Sequence, residues 1–86
     1  MLTNTRLTRG REILSVHDVL ELLNFELSAY DECADCHFTS VKASLRDETG
    51  SNWHGASLHS DGPMSEAVRR IGREVLDEVH EAYNIE

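Results

Sequence analysis

The stretch MSEAVRRIGREVLDEVHEAY, from Met64 to Tyr83, decides the fold of this 86-residue chain. Its apolar residues recur three and four positions apart, which is the period of one face of an α-helix. Charged residues occupy the opposite face of the same stretch. The pattern predicts a helix of about five turns that covers a small core, with Asp61 or Ser60 as its N-cap.

Gly72 interrupts this helix on its apolar side, between Val68 and Val75. A glycine inside a helix costs about 1 kcal/mol relative to alanine. It either lets another group approach the helix closely or occupies a tolerated position. The sequence leaves both interpretations open.

A second helix is predicted to begin at Ser15, whose hydroxyl can cap the first turn. The main apolar stripe of this helix consists of Val16, Val19, Leu20, Leu23, Leu27 and Tyr30. Leu22 and Phe25 form a second apolar side, roughly opposite the first. Because a helix with two apolar sides needs two packing partners, we expect this second side to meet the N-terminal arm or a second subunit.

Two strands are predicted between the helices, at residues 37–46 and 51–59, because apolar and polar side chains alternate there. The turn that joins them contains Gly50, which can adopt a positive φ. The favoured register places Val41 opposite Ala56 on the core face, with Thr39 opposite Leu58.

In this register the outer face of the hairpin carries Trp53, Phe38 and Lys42. Exposed aromatic side chains concentrate binding energy at interfaces, so Trp53 and Phe38 would be anchors for a partner. A register change of one residue would bury Trp53 instead, and the sequence does not decide between the two.

The order helix, strand, strand, helix predicts an α+β fold in which both helices pack on one face of an antiparallel hairpin. Residues 1–14 are expected to be an irregular or weakly structured basic arm, and residues 15–86 a single domain. A two-stranded sheet is a poor free-standing layer, and a chain of this length buries only about 60–65% of its unfolded surface. We therefore expect a homodimer in which pairing extends the sheet.

The net charge of −8 argues against a general nucleic-acid binder. Arg6, Arg9 and Arg11 nevertheless make the N-terminal arm basic. The arm could contact a phosphate backbone, its own domain or a second copy, so a nucleic-acid accessory role is the less favoured alternative. No apolar run approaches the roughly 20 residues of a membrane span and no signal peptide is apparent, so we expect a cytoplasmic protein that does not bind membranes.

Cys33, Cys36 and His37 belong to the string Cys-x-x-Cys-His, which attaches haem in c-type cytochromes. Cys-x-x-Cys can also provide two zinc ligands. His54 and His59 lie downstream, but on a strand they point to opposite faces. The surrounding acidic residues favour protonated, metal-free thiols. We expect no cofactor, and a zinc-stabilised binding module is the alternative function.

No nucleophile elbow, phosphate-binding loop or zinc-protease motif occurs in the sequence. His17, Asp18 and Glu21 share a helical face, as such triples often do on solvated helices. We therefore expect a non-enzymatic protein-interaction or regulatory module that acts as a homodimer and binds an unidentified protein partner. The candidate interaction residues are Trp53, Phe38, Lys42, Leu22, Phe25, Arg6, Arg9 and Arg11.

Overall fold

The computed structural model describes residues 11–48 and 50–86. Its elements follow in the order β1 (Glu12–Leu14), α1 (Val16–Leu27), a short 3-10 helix (Asp31–Cys33), β2 (Cys36–Ala43), β3 (Trp53–Ser60), α2 (Glu66–Ala82) and β4 (Tyr83–Ile85). α1 and α2 pack against each other and on the β2–β3 hairpin, α1 mainly on β2 and α2 on β3. The predicted α+β arrangement of two helices on an antiparallel hairpin is confirmed.

Each helix begins at a serine N-cap. The Ser15 hydroxyl accepts a hydrogen bond from the Asp18 amide at 3.0 Å, as the sequence predicts. α2 is capped by Ser65, which accepts from the Val68 amide at 3.1 Å. The prediction of Asp61 or Ser60 as cap is wrong, because Ser65 has the extended backbone of an N-cap and lies next to the first helical residue.

The hairpin register departs from a regular ladder. Val41 pairs with Ala56, as predicted, but Leu58 pairs with Phe38 rather than with Thr39. β2 therefore has one more residue than β3 over this stretch. An extra residue of this kind interrupts the alternation of a strand and changes the face to which a side chain points.

Phe38 and Trp53 are consequently core residues. The favoured register, which places both on the outer face, is wrong here, and of the two alternatives left open for Trp53 the buried one is observed. Phe38 is 4% exposed and Trp53 is 0% exposed. A second register shift, between Lys42 and Ala43, accompanies the inward orientation of Trp53. Lys42 is exposed on β2, in agreement with the prediction.

β1 and β4 form a second, parallel pair of strands, with Leu14 opposite Ile85. β1 lies in the segment that was expected to be an irregular arm. β4 takes the place of the predicted end of the C-terminal helix, because the backbone becomes extended at Tyr83, with φ −132° and ψ 148°. The two ends of the described chain therefore meet, and the folded domain includes residues before Ser15.

The core lies between the helices and the inner face of the hairpin, and each large side chain fully buried there contributes about 1.5–3 kcal/mol. Its buried apolar residues are Val19, Leu23, Leu27, Cys33, Phe38, Trp53, Val68, Ile71, Val75, Val79 and Ile85. None of the helices in the described part of the chain is long and apolar enough to span a bilayer.

Gly72 lets the hairpin approach α2 closely. A Cβ atom built at Gly72 would lie 2.9 Å from Cδ2 of Leu58. Of the two interpretations that the sequence left open, the structure therefore supports the close neighbour. The contact atom is the end of a flexible side chain, so an alanine at this position would displace Leu58 rather than the backbone.

We expect Gly72→Ala alone to stabilise the protein by less than the about 1 kcal/mol that helix propensity offers, because Leu58 must move. In a Leu58→Ala background the clash is absent, and the same substitution should give the full gain. Urea denaturation of the four proteins of this double-mutant cycle measures the difference. Equal gains in both backgrounds would contradict the close contact.

Candidate interaction surface

Phe25 is the most conspicuous apolar side chain on the helices of this domain, because it is 72% exposed in the last turn of α1. Leu22, predicted to share this side with Phe25, instead packs partly buried against the core. The helical turn of 100° per residue places Leu22 closer to the buried stripe of Val19 and Leu23 than Phe25 is. The predicted second apolar side is therefore reduced to Phe25.

A groove beside Phe25 separates α1 from β2. Its apolar lining comes from Leu20, Phe25 and Phe38, of which Phe38 is only 4% exposed, and polar side chains surround it. The lining residues are His17, Leu20, Glu21, Asn24, Phe25, Ser28 and Phe38. The groove thus combines a projecting aromatic ring with an apolar recess on one patch of surface.

Asn24 closes one side of this groove through the backbone of β2. Its Oδ1 accepts from the Phe38 amide at 2.7 Å and its Nδ2 donates to the Phe38 carbonyl at 3.1 Å. Both backbone groups of a strand residue point to the same side, so Asn24 takes the position that a neighbouring strand would occupy. The predicted extension of the sheet by a second copy finds no support in the structure, and at Phe38 it would require displacement of Asn24.

His17, Asp18 and Glu21 form a polar group at one end of the groove. One ligand atom from each lies within 4.8 Å of the others, and His17 Nε2 is 3.2 Å from Glu21 Oε2. All three side chains are exposed. An exposed pair one turn apart contributes a few tenths of a kcal/mol at most, which fits a solvated helix surface.

The Arg11 guanidinium binds the C-terminal end of α2. Its Nε donates to Asn84 Oδ1 at 2.8 Å, and its two terminal nitrogens donate to the main-chain oxygens of His80, Glu81 and Tyr83. Carbonyl groups at a helix end lack helical partners and carry partial negative charge. Arg11 provides a cationic partner for two of them, those of His80 and Glu81, and shares the Tyr83 carbonyl of β4 with the Trp53 indole.

The sequence leaves three contacts open for the basic arm: a phosphate backbone, its own domain or a second copy. Arg11 contacts its own domain. With its donors engaged there, it does not present them to a phosphate backbone. Arg6 and Arg9 lie outside the described residues, and their roles stay predictions.

Asn52 and Trp53 hold β4 in place next to β3. The Asn52 carboxamide donates to the Ile85 carbonyl at 2.6 Å and accepts from the Ile85 amide at 2.9 Å. The Trp53 indole donates to the Tyr83 carbonyl at 2.8 Å. These contacts join residues 30 and 33 positions apart, so no local pattern in the sequence indicates them.

His80 takes part in this polar network and is half-buried, although its place on the polar side of the helix suggests a solvated side chain. Its Nε2 lies 2.7 Å from the Trp53 carbonyl oxygen and 2.9 Å from Ser51 Oγ. A carbonyl can only accept, so the contact assigns the proton to Nε2. An Nε2 that carries a proton cannot accept one from Ser51, and the pair has a structural role rather than that of a nucleophile and its base.

Cys33 and Cys36 are free thiols with different environments, the first buried and the second partly exposed. Burial, followed by the neighbouring Cys36 and Glu32, raises the pKa of the Cys33 thiol. His37 does not join the cysteines, because within residues 11–48 and 50–86 no group of three ligand atoms that includes either sulfur lies within 4.8 Å. Its ring instead lies against that of His59 across the hairpin.

Comparison with protein-family models, with curated proteins and with solved structures finds no match to this chain.

We expect Arg11→Met to destabilise the protein by about 1–3 kcal/mol, because several charge-assisted hydrogen bonds disappear and helix carbonyls lose their partner. Arg46→Met is the matched control: Arg46 is exposed, and its replacement should change stability by less than about 0.5 kcal/mol. Chemical denaturation measures both. Equal effects of the two substitutions would show that the cap contributes nothing.

Because the pKa of Cys33 is raised, its thiol should be alkylated slowly. In the folded protein at neutral pH, iodoacetamide should alkylate Cys36 well before Cys33, because only the thiolate reacts and Cys33 is also buried. Peptide mapping after timed labelling gives the order of alkylation, and faster reaction at Cys33 would contradict the prediction.

The raised pKa of Cys33 also predicts a pH dependence of stability. Above the ordinary thiol pKa of about 8.5, the unfolded chain deprotonates before the folded one, so the free energy of unfolding should fall as pH rises further.

Proposed function

We propose that this protein is a non-enzymatic interaction module that acts as a homodimer, and that the exposed side of α1 binds a second copy. The observation that carries the proposal is the exposed ring of Phe25 next to the groove formed by Leu20 and Phe38. An aromatic ring in this setting is the side-chain type that contributes most to interfaces.

Self-complementarity favours a second copy over other partners. In a dimer with two-fold symmetry the same patch faces itself, so it must contain both the projecting group and the recess that receives it. The α1 surface contains both, with Phe25 projecting beside the Leu20–Phe38 recess. Burial of one Phe25 ring in the partner's groove would contribute roughly 1.5–3 kcal/mol, and symmetry doubles this contribution.

Docking through side chains also agrees with the position of Asn24. The carboxamide is hydrogen-bonded to Phe38 on β2, which disfavours pairing of backbones there. A helix surface that contributes Phe25 leaves this contact intact. The proposed dimer therefore differs from the sheet-extending dimer that the sequence suggests.

Charge gives the proposed dimer a distinctive salt dependence. Two copies with a net charge of −8 each repel one another, and salt screens this repulsion over a Debye length of about 8 Å at physiological ionic strength. An apolar contact is not weakened by salt in the same way. Association should therefore strengthen as salt is added, whereas binding to a basic partner or to nucleic acid through charge would weaken.

The other functional predictions stay less favoured. A zinc-stabilised module would need further ligands beside the cysteines, and within residues 11–48 and 50–86 no third ligand atom lies within 4.8 Å of both sulfurs. A nucleic-acid accessory role would depend on Arg6 and Arg9. A further, unidentified protein partner and a cytoplasmic location stay predictions from the sequence.

We expect sedimentation equilibrium at micromolar concentration to show a dimer for the wild type and a folded monomer for Phe25→Ser. Leu45→Ser is the matched control, because Leu45 is 92% exposed but lies in the connection between β2 and β3 rather than on α1. It should leave the dimer unchanged, and thermal melts should show that both variants fold. A monomeric wild type, or a dimer that survives Phe25→Ser, would overturn the proposed interface.

A further inference from the structure

We infer that His37 and His59 form a binding site for a divalent transition metal ion, with Zn²⁺ as the representative ion, on the outer face of the hairpin. The two residues are direct cross-strand partners on β2 and β3. Their ring centroids are 5.3 Å apart and the ring planes are inclined by 59°. Both side chains are exposed, so an ion can reach them from solvent.

The separation of the rings suits joint coordination. A Zn–N bond of about 2.0–2.1 Å and a tetrahedral angle at the metal place the centres of two coordinating imidazoles roughly 5 Å apart. The observed 5.3 Å agrees with this distance. The hairpin backbone fixes the two Cα atoms opposite each other, so little ordering of the chain is needed before the ion binds.

Asp61 provides a second, independent observation. His59 Nε2 is 3.1 Å from Asp61 Oδ1, and a carboxylate at this distance assigns the proton to Nε2. Nδ1 of the neutral ring then keeps its lone pair for a metal. Histidines that bind metals commonly donate their other N–H to a carboxylate in this way, which orients the ring and makes it a better ligand.

The main chain around Asp61 holds this carboxylate near the hairpin. The Asp61 amide donates to the Asp35 carbonyl at 3.1 Å, which ties the end of β3 to the segment that enters β2. His37 and His59 lie within two residues of these anchor points. The two histidines and the Asp61 carboxylate therefore lie at an end of the hairpin that a main-chain hydrogen bond holds together, and not on a free loop.

The chemistry of two imidazoles specifies the class of ion. Imidazole nitrogen suits Zn²⁺, Cu²⁺ and Ni²⁺, whereas Mg²⁺ and Ca²⁺ prefer oxygen ligands. Within the described chain no third ligand atom joins the two histidines within 4.8 Å. The remaining coordination positions would therefore be filled by water, which makes this an open and exchangeable site rather than a structural zinc centre.

Isothermal titration of the full-length protein with ZnCl₂ in a non-chelating buffer tests the assignment. We expect one ion per chain, with affinity lowered at least about tenfold by His37→Gln and by His59→Gln. Asp61→Asn should lower the affinity by about 10-fold to 100-fold, the usual effect of losing an orienting carboxylate. His54→Gln is the matched control, because His54 is an exposed histidine on the same strand, and it should bind as the wild type does.

Two further variants distinguish this site from the other candidate metal sites, which are the His17 group on α1 and the cysteines. Loss of binding in His17→Gln but not in His37→Gln would move the ion to the group on α1 and overturn the proposal. Loss of binding in Cys36→Ser alone would assign it to the cysteines, with the same consequence. Absence of binding at millimolar zinc would also overturn it. Histidine ring shifts in NMR spectra provide a readout that does not depend on stability.

Discussion

The structure depends on giving hydrogen-bond partners to strand edges that face away from the paired strand. Two asparagine side chains do this. Asn24 pairs with both backbone groups of Phe38, and Asn52 pairs with both backbone groups of Ile85. A carboxamide offers the same carbonyl acceptor and N–H donor as a peptide unit, and buried backbone groups that lack such partners are costly. Two separate two-stranded sheets can therefore be stable within one small domain.

The junction between α2 and β4 shows how this constraint shapes the rest of the fold. The chain leaves the helix at Tyr83, where the Trp53 indole N–H meets the Tyr83 carbonyl. Arg11 donates to the Glu81 carbonyl at the end of the helix and to the same Tyr83 carbonyl. The interior aromatic ring and the arginine together fix the direction in which β4 departs. This explains why residues that precede Ser15 belong to the folded domain.

Structural features that depend on local periodicity can be predicted from the sequence. Features that depend on contacts between distant residues cannot. The helical stripes, the Ser15 cap, the turn at Gly50 with φ +89° and the pairing of Val41 with Ala56 all follow from local patterns. The burial of Trp53 could not be predicted, because register shifts in the hairpin move its side chain to the other face. Of the candidate site, Phe25 was identified correctly as an apolar residue outside the main stripe. The roles of Asn24, Asn52 and His80 depend on partners 14 to 33 residues away and leave no local signal.

The hydrogen bonds from asparagine side chains to strand edges also determine how this protein can recognise other molecules. Because Asn24 occupies the edge of β2 at Phe38, recognition at this position must use side chains rather than an added strand. The two side-chain surfaces that remain have different chemistry: an aromatic ring beside an apolar groove on α1, and paired imidazoles on the outer face of the hairpin. Phe38, which lines the groove beside Phe25, directly follows His37 on β2. Because successive side chains of a strand point to opposite faces, the buried Phe38 and the exposed His37 place the two surfaces on opposite faces of the same strand.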